Sequence, residues 1–444
     1  VLRGPNTSRL LLGALLLALG GRAALAAPPE GDRAFWRRLE RLAGNRPAVA
    51  TRFEPLRDGH GAFQSRLALV RGARSSIVGT LYAVDLDRYG FQFLDELTAA
   101  ARRGVRVVVA IDRIAQLSYD LRADRVRRRV FRQKVRALEQ AGGVLAWYGR
   151  LALHLRRLGV GLHYKTLVAD GRAAILDGRN IGHEYVERWT DFGARVEGPV
   201  VGQLARAALR FIGRCKPYRG LRPLRGRRAR RERFASLLRE LRREARHVPR
   251  AKGSGPRLTL LAWDPLGDER AVGARGNRIT EALSAAVDRA EREVILSSNF
   301  VHAGKRLRRS LIAAARRGVR VRIVTTGEAA SEISIWPYLI TSAHYRGLLR
   351  AGCEIYETTR MEHGKMYVVD RRVGAFGSYN ASKIADRRNT EGLLFTADRK
   401  VIDTLVATLE DTIHNRSVRH RPPPPSLKGW LRRLVQVPLR LVTQ

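Results

Sequence analysis

The alternation of apolar and polar positions along the chain is written twice. In ELTAAARRGVRVVVAID (Glu96 to Asp112), Leu and Ala recur at helical spacing up to Gly104, and a β-branched run follows. SLIAAARRGVRVRIVTT (Ser310 to Thr326) repeats that order around Gly318. Each predicts a helix, a glycine C-cap and a buried strand. SIVGTLYAV (Ser76 to Val84) and EVILSSNFV (Glu293 to Val301) predict a further strand upstream of each helix. Downstream, KVRALEQAGGVLAWY (Lys134 to Tyr148) and YRGLLRAGCEIYE (Tyr345 to Glu357) predict helix, glycine and strand again. Strands alternating with helices imply βαβ units and mostly parallel sheets. The fold class is therefore α/β, as two lobes of one ancestry.

Punctuation divides the chain further. Residues 1–26 read as a signal peptide or N-terminal anchor, 45–215 as the first lobe, 216–256 as an Arg-rich connector, 257–413 as the second lobe and 414–444 as a Pro-rich basic tail. Arg3 and Arg9 precede an apolar run from Leu10 to Leu19, and Ala24-Leu25-Ala26 has cleavage-site character, although Arg22 interrupts it. That order predicts export, with an uncleaved anchor or an ordinary helix as alternatives; the run is too short to span a bilayer comfortably. The connector carries RGRRARRER (Arg225 to Arg233) and reads as exposed, helical around Phe234 to Ala245, and either a polyanion-binding arm or a solvated linker. In the tail, Pro422 to Pro425 form a stiff spacer before SLKGWLRRLVQVPLRLV. This last segment suits an anionic membrane face with Trp430 at headgroup level, or packs back on the body.

Composition adds a partner class. The chain has 444 residues, 84 basic against 41 acidic, for a net charge of +43. Such a field favours polyanions: nucleic acid, an anionic lipid surface or a phosphorylated substrate. An Arg-rich genome accounts for part of the surplus, since only 9 of the 84 are Lys. Apolar content of 45% excludes a disordered or collagen-like polymer. No apolar run reaches the roughly 18 residues of a spanning helix, which excludes a multi-pass membrane protein. Cys215 and Cys353 cannot build a zinc site or a disulfide framework alone; they read as buried thiols, though one pairing is open.

The scarcity of Lys makes one motif informative. With 10 His and 9 Lys in 444 residues, chance gives about 0.2 occurrences of His-x-Lys. There are two, His163-Tyr164-Lys165 and His363-Gly364-Lys365. Asp170 and Asp370 each lie seven residues after their His, Asn180 and Asn380 seventeen, Asp191 and Glu391 twenty-eight. HYKTLVAD and HGKMYVVD are strand-like, so imidazole and ammonium two positions apart share a face. Asp170-Gly171 and Asp370-Arg371 reverse the chain, and the returning segments bring each Asn back beside its His. A phosphodiester needs a nucleophile, a proton donor for the leaving alcohol and positive charge on its equatorial oxygens. Two imidazoles meet the first two needs; two ammoniums and two amides meet the third. Such a site has no need of a metal or cofactor, and no ligand cluster in the sequence competes for one.

HxKxxxxD twice, followed by Gly-x-Asn or Gly-Ser-x-Asn, resembles the phospholipase D superfamily. Within it the chain is most similar to bacterial cardiolipin synthases, through GRNIGHEY (Gly178 to Tyr185), EHGKMYVVD (Glu362 to Asp370) and the AAxRGVxV unit of both lobes. The resemblance covers Phe63 to Ala407. It implies two duplicated α/β/α lobes related by a pseudo-twofold, with one active site shared at their interface. His163, Lys165, Asp170, Asn180, His363, Lys365, Asp370 and Asn380 take the catalytic positions. By analogy, His163 becomes a phosphohistidine and His363 is the acid. Asp191 and Glu391 match acids that accept from the far nitrogen of each His, and Ser378 is placed to add a phosphate hydrogen bond. Asp170 and Asp370 would hold the Lys and the turn. The sequence departs from the family at Asp177-Gly178, where Gly-Gly or Gly-Ser is usual, and at Asp191, shorter than the usual Glu.

The implied activity is phosphatidyl transfer on a phospholipid such as phosphatidylglycerol, at an anionic membrane surface, exported or membrane-associated in a bacterium, with the periplasmic face of the inner membrane favoured. Hydrolysis of phospholipids to phosphatidic acid and a nuclease of the same family are the alternatives. The first lobe carries 14 more residues before its catalytic His than the second, mostly at RLALHLRRLG (Arg150 to Gly159). That insertion reads either as a headgroup or bilayer contact or as a surface helix. The oligomeric state is not encoded legibly.

Overall fold

The structure, a computed structural model, describes residues 30–149, 160–217, 227–246, 254–265, 268, 276–332 and 335–421. The N-terminal apolar run, the insertion Arg150 to Gly159, the first two residues of RGRRARRER and the tail from 422 onward lie outside them. The chain divides into two compact units, Val1–Leu39 and Glu40–Gln444. The helix Glu30–Ala43 begins in the first; every strand among the described residues belongs to the second.

Two sheets share one strand order. The first runs Lys216–Pro217, Val144–Tyr148, Arg106–Asp112, Ser76–Leu81, Thr166–Ala169, Ala173–Asp177, Gly193–Glu197 and Arg52–Leu56. The second runs Ser417–Arg419, Glu354–Thr358, Arg320–Thr326, Glu293–Ser297, Met366–Val369, Val373–Gly377, Asn389–Thr396 and Arg257–Trp263, with Ala48–Val49 added at the edge. The duplicated helix–glycine–strand units occupy matching places. Gly104 and Gly318 end their helices at φ 88° and 89°, a conformation in which a Cβ would be strained.

The sheets are mixed rather than mostly parallel. Along each shared strand order, the parallel pairs are those among the three strands joined by helical crossovers. The strand after each His-x-Lys returns through a three-residue turn, which can join only antiparallel neighbours. Asp170 and Gly171 have φ 54° and 63°, Asp370 and Arg371 51° and 52°. Arg371 pays for that left-handed conformation about 1–2 kcal/mol.

The two sheets bury a common core. Val108, Leu176 and Phe192 belong to the same apolar cluster as Ile295, Phe376 and Leu405. Helix Val200–Ile212 is buried along most of its length, and its Gln203 Oε1 accepts from Leu260 of the second sheet at 2.8 Å. The connector differs from an exposed arm. Its helix, Arg227–Glu244, inserts Phe234, Leu237, Leu238 and Leu241 into the core, because those residues fall at i, i+3, i+4 and i+7 on one face. Each such burial contributes about 1.5–3 kcal/mol, while the Arg residues line the outer face. Cys215 and Cys353 are buried free thiols.

Candidate active site

The His-x-Lys triplets stand at the entrances to strands rather than on them, since pairing begins at Thr166 and Met366. A reciprocal crossing of the lobes fixes them. The His163 amide donates to the Thr390 carbonyl at 3.2 Å, and the His363 amide to the Thr190 carbonyl at 2.7 Å. Residues Gly161–Leu162 also pair in parallel with Asn389–Thr390. The residue after each acceptor is the acid. Each carboxylate therefore arrives at the imidazole of the opposite lobe: His163 Nδ1 lies 2.9 Å from Glu391 Oε1, and His363 Nδ1 lies 2.5 Å from Asp191 Oδ2.

The two halves are not equal. Glu391 is braced by the Ser378 hydroxyl, which donates to Oε2 at 2.5 Å and accepts from the Gly392 amide at 3.1 Å. Ser378, expected to face phosphate, is thus engaged with the acid. In the first lobe the matching position is Gly178, where a Cβ would stand 2.2 Å from Asp191 Oδ1. Missing side chain and shortened acid are one adjustment. The lysines differ as well. Lys165 Nζ donates to the His163 carbonyl at 3.0 Å, whereas Lys365 Nζ reaches both the His363 carbonyl and His363 Nδ1, the latter at 2.7 Å.

Lys165, Lys365, His163, His363 and Asp191 are buried together, and burial shifts each of them. It draws the Lys165 ammonium down to about 7, with Lys365 adding repulsion, and Lys365 down to about 8. Burial also lowers His163, against the pull of Glu391, and lowers His363 further with help from both ammoniums. Asp191 is raised by burial, which Lys365 and Arg179 oppose. Burial disfavours charge on cation and carboxylate alike, so the ammoniums are poised to gain from an anionic phosphodiester bound beside them.

Asn180 and Asn380 do not lie alike. The Asn180 amide donates to the Tyr185 hydroxyl at 2.7 Å, and the Tyr185 ring centroid is 5.2 Å from that of His363. Asn180 is thereby tied to a ring that packs beside the imidazole of the opposite lobe. Asn380 accepts from the Ser298 hydroxyl at 3.4 Å. Asp170 and Asp370 are not brought to the imidazoles. Asp170 accepts from the Arg74, Ser75 and Ser76 amides, and Asp370 from those of Glu291, Arg292 and Glu293. They tie the far end of the strand to its neighbour, five residues or about 16 Å beyond each Lys. Their expected role of holding the Lys is corrected accordingly.

Sequence reasoning missed several contributors. Arg179 is fully buried; its guanidinium donates to Asp177 at 3.1 Å and to the Asp191 carbonyl at 2.7 Å. Arg66 donates to the other Asp177 oxygen at 2.9 Å. Asp177, the departure noted above, is the counter-ion that two buried guanidiniums require. Glu362 accepts from Thr190 at 2.9 Å and from the Gly364 amide at 2.7 Å, and burial raises it to about 7. Tyr82 lies 5.1 Å from the His163 ring, and Trp189 5.7 Å from the His363 ring. Arg179 and Tyr185 sit in GRNIGHEY and Glu362 opens EHGKMYVVD, so proximity to the motifs was the available signal.

Known proteins resemble this chain in sequence and in fold. Residues 283–413 match the family model of the cardiolipin synthase, phospholipase D-like domain. Cardiolipin synthase B of Shigella flexneri is 27% identical over 369 residues, covering 81% of this chain and 79% of that one. Cardiolipin synthase A of Pseudomonas entomophila is 26% identical over 397 residues, 87% of this chain and 74% of that one. Among solved structures, phosphatidylserine synthase of Haemophilus influenzae Rd KW20 has the same fold, with a TM-score of 0.69 at 16% identity over 92% of this chain and 99% of that one.

Proposed function

We propose, for a chain that carries a phospholipase D-like domain of the cardiolipin synthase type, phosphatidyl transfer at a single site shared by the two lobes, which we read as copies of one ancestor. The observation that carries this reading is the reciprocal pairing of His163 with Glu391 and His363 with Asp191. A carboxylate accepting from Nδ1–H leaves a lone pair on Nε2. Glu391 is the acid that holds His163 this way, and we assign His163 Nε2 as the nucleophile: it attacks phosphorus and the bond to the leaving alcohol breaks. At His363, Asp191 and the Lys365 ammonium face the same nitrogen. Asp191, accepting from Nδ1–H, steadies the imidazolium, whose Nε2–H donates to the departing oxygen. His363 then takes the proton of the acceptor hydroxyl, which attacks the phosphohistidine and releases His163. Lys165, Lys365 and the two Asn amides hold the phosphoryl oxygens as charge accumulates.

The acceptor in this reading is the hydroxyl of a second phospholipid such as phosphatidylglycerol, giving cardiolipin; delivery to water gives phosphatidic acid by the same intermediate. The basic surplus and the N-terminal apolar run support work at an anionic membrane on the exported side. No helix among the described residues is long and apolar enough to cross a membrane. Incubating the purified chain with phosphatidylglycerol vesicles and resolving the lipids by mass spectrometry tests the proposal. Cardiolipin with glycerol is expected; phosphatidic acid alone assigns hydrolysis, and cleavage of added DNA with lipid untouched refutes both.

A further inference from the structure

Eight large apolar side chains are exposed among the described residues, and four of them, Ile114, Leu117, Leu121 and Val126, fall within thirteen positions. Ile114, Leu117 and Leu121 stand at i, i+3 and i+7 on helix Arg113–Arg122, so they form one stripe. Leu121 and Val126 are each 70% exposed. Scattered exposed residues need no account, but a stripe does. Its borders are cationic: Arg113, Arg122, Arg125, Arg127 and Arg129 are all exposed. The acids there are committed, Asp124 to capping the following helix and Asp120 to the Gln116 amide.

The opposite face of that helix is joined to the candidate site. Asp112 caps it and also accepts from the amide of Leu162, which precedes His163, at 2.8 Å. Tyr119 meets Tyr185 hydroxyl to hydroxyl at 3.2 Å, and Tyr185 holds Asn180. The second lobe presents Ile335 and Trp336, 42% and 57% exposed, at the matching place after its own strand. They follow Glu332, which accepts from Trp189 beside His363 at 2.9 Å.

We propose that the stripe of helix Arg113–Arg122 with Val126, together with Ile335 and Trp336, is the surface by which the protein rests on an anionic phospholipid bilayer, with its site turned toward the lipid. The choice of occupant rests on the function proposed above. An apolar stripe fits the acyl boundary, its arginine border fits lipid phosphates, and a Trp suits the headgroup level.

The test uses the full chain and phosphatidylglycerol-rich vesicles. Replacing Leu117→Ser and Leu121→Ser together is expected to weaken co-sedimentation with vesicles by about tenfold or more. Turnover of a short-chain soluble phosphodiester should stay at the parent rate. Unchanged vesicle affinity overturns the proposal. So does loss of self-association, or of DNA binding, with vesicle affinity kept, since the stripe then serves another partner. A second measurement avoids dependence on that double variant. With Cys215 and Cys353 buried, an environment-sensitive fluorophore on Leu121→Cys labels one exposed position. Its emission should shift to the blue with vesicles, and an unshifted spectrum contradicts the proposal. If the parent binds vesicles through the stripe yet produces neither cardiolipin nor phosphatidic acid, the functional proposal fails and the surface stands.

Discussion

His163 and Glu391 are 228 residues apart in sequence, yet Nδ1 and Oε1 are 2.9 Å apart, with the carboxylate completely buried. The pair belongs to two sheets, so neither lobe holds its imidazole by itself. Tautomer, orientation and charge at each His depend on the lobe opposite, and the consequences can be measured.

Replacing Glu391→Gln keeps the shape and removes the charge that selects Nδ1–H. Turnover should fall about 10²–10⁴-fold with KM little changed, as when the orienting acid of a triad is lost. Combining it with His163→Ala should cost little beyond His163→Ala alone, because the two act as one unit. Additive losses would place Glu391 in a separate role.

Lowered ammoniums imply a pH limit. Lys165 and Lys365 carry charge in the free enzyme only below about 7 and about 8, so positive charge at the phosphate site is lost as pH rises through that window. Burial keeps His163 neutral to lower pH than an ordinary imidazole, which leaves the nucleophile available there. On a soluble diester, kcat/KM should decline above pH 7 rather than near the ordinary lysine range. A profile flat to pH 9.5 contradicts the burial of charged lysines in the working enzyme.

Gly178 should tolerate no side chain. A Cβ there meets Asp191 Oδ1 at 2.2 Å, so Gly178→Ala displaces the acid from His363. Turnover is expected to drop by about 10²-fold, the usual scale for losing acid–base positioning. Ser378→Ala removes only a brace from Glu391 and should cost about tenfold, near the worth of one hydrogen bond to a charged group. Reversal of that order in steady-state assays would mean that the lobes have exchanged roles.

Asp177→Asn should damage the fold first. It leaves the Arg66 and Arg179 guanidiniums buried without their carboxylate, a change that costs about 3–5 kcal/mol in comparable buried pairs. Urea unfolding measures it; a stability unchanged within about 1 kcal/mol would mean that another group neutralises the cluster.

Asp170→Asn is expected to act on stability rather than on chemistry. Burial raises the Asp170 carboxyl, but the Ser76, Ser75 and Arg74 amides outweigh it and the net shift is downward. A carboxyl lowered on folding stabilises above its unfolded value and loses that contribution as pH falls through the folded one. Unfolding free energy at pH 7 should drop by about 1–3 kcal/mol, with turnover per folded molecule within about threefold of the parent. A selective loss of kcat would return Asp170 to the site.

What could be read in the chain follows from range. Helix, glycine and strand around Gly104 and Gly318 are local patterns, and they appear where the periodicity places them. The recurring offsets of His, Lys, Asn and acid identify the residues near the two imidazoles, because spacing along a strand and its return is also local. Exchange of acids between lobes is not local; nothing in spacing distinguishes Glu391 serving His363 from Glu391 serving His163. Asp170 was legible and misread, since five residues of strand separate it from Lys165. The connector helix was misread for its arginines, although Phe234, Leu237, Leu238 and Leu241 already marked a buried face.

The most direct measurement is acid-free trapping of the enzyme during turnover of phosphatidylglycerol, followed by peptide mass spectrometry. One phosphatidyl group per chain on His163 is expected, absent in His163→Ala and retained longer in Asp191→Asn. Modification of both histidines, or full turnover by His163→Ala or His363→Ala, would contradict a single phosphorus site shared by the two lobes.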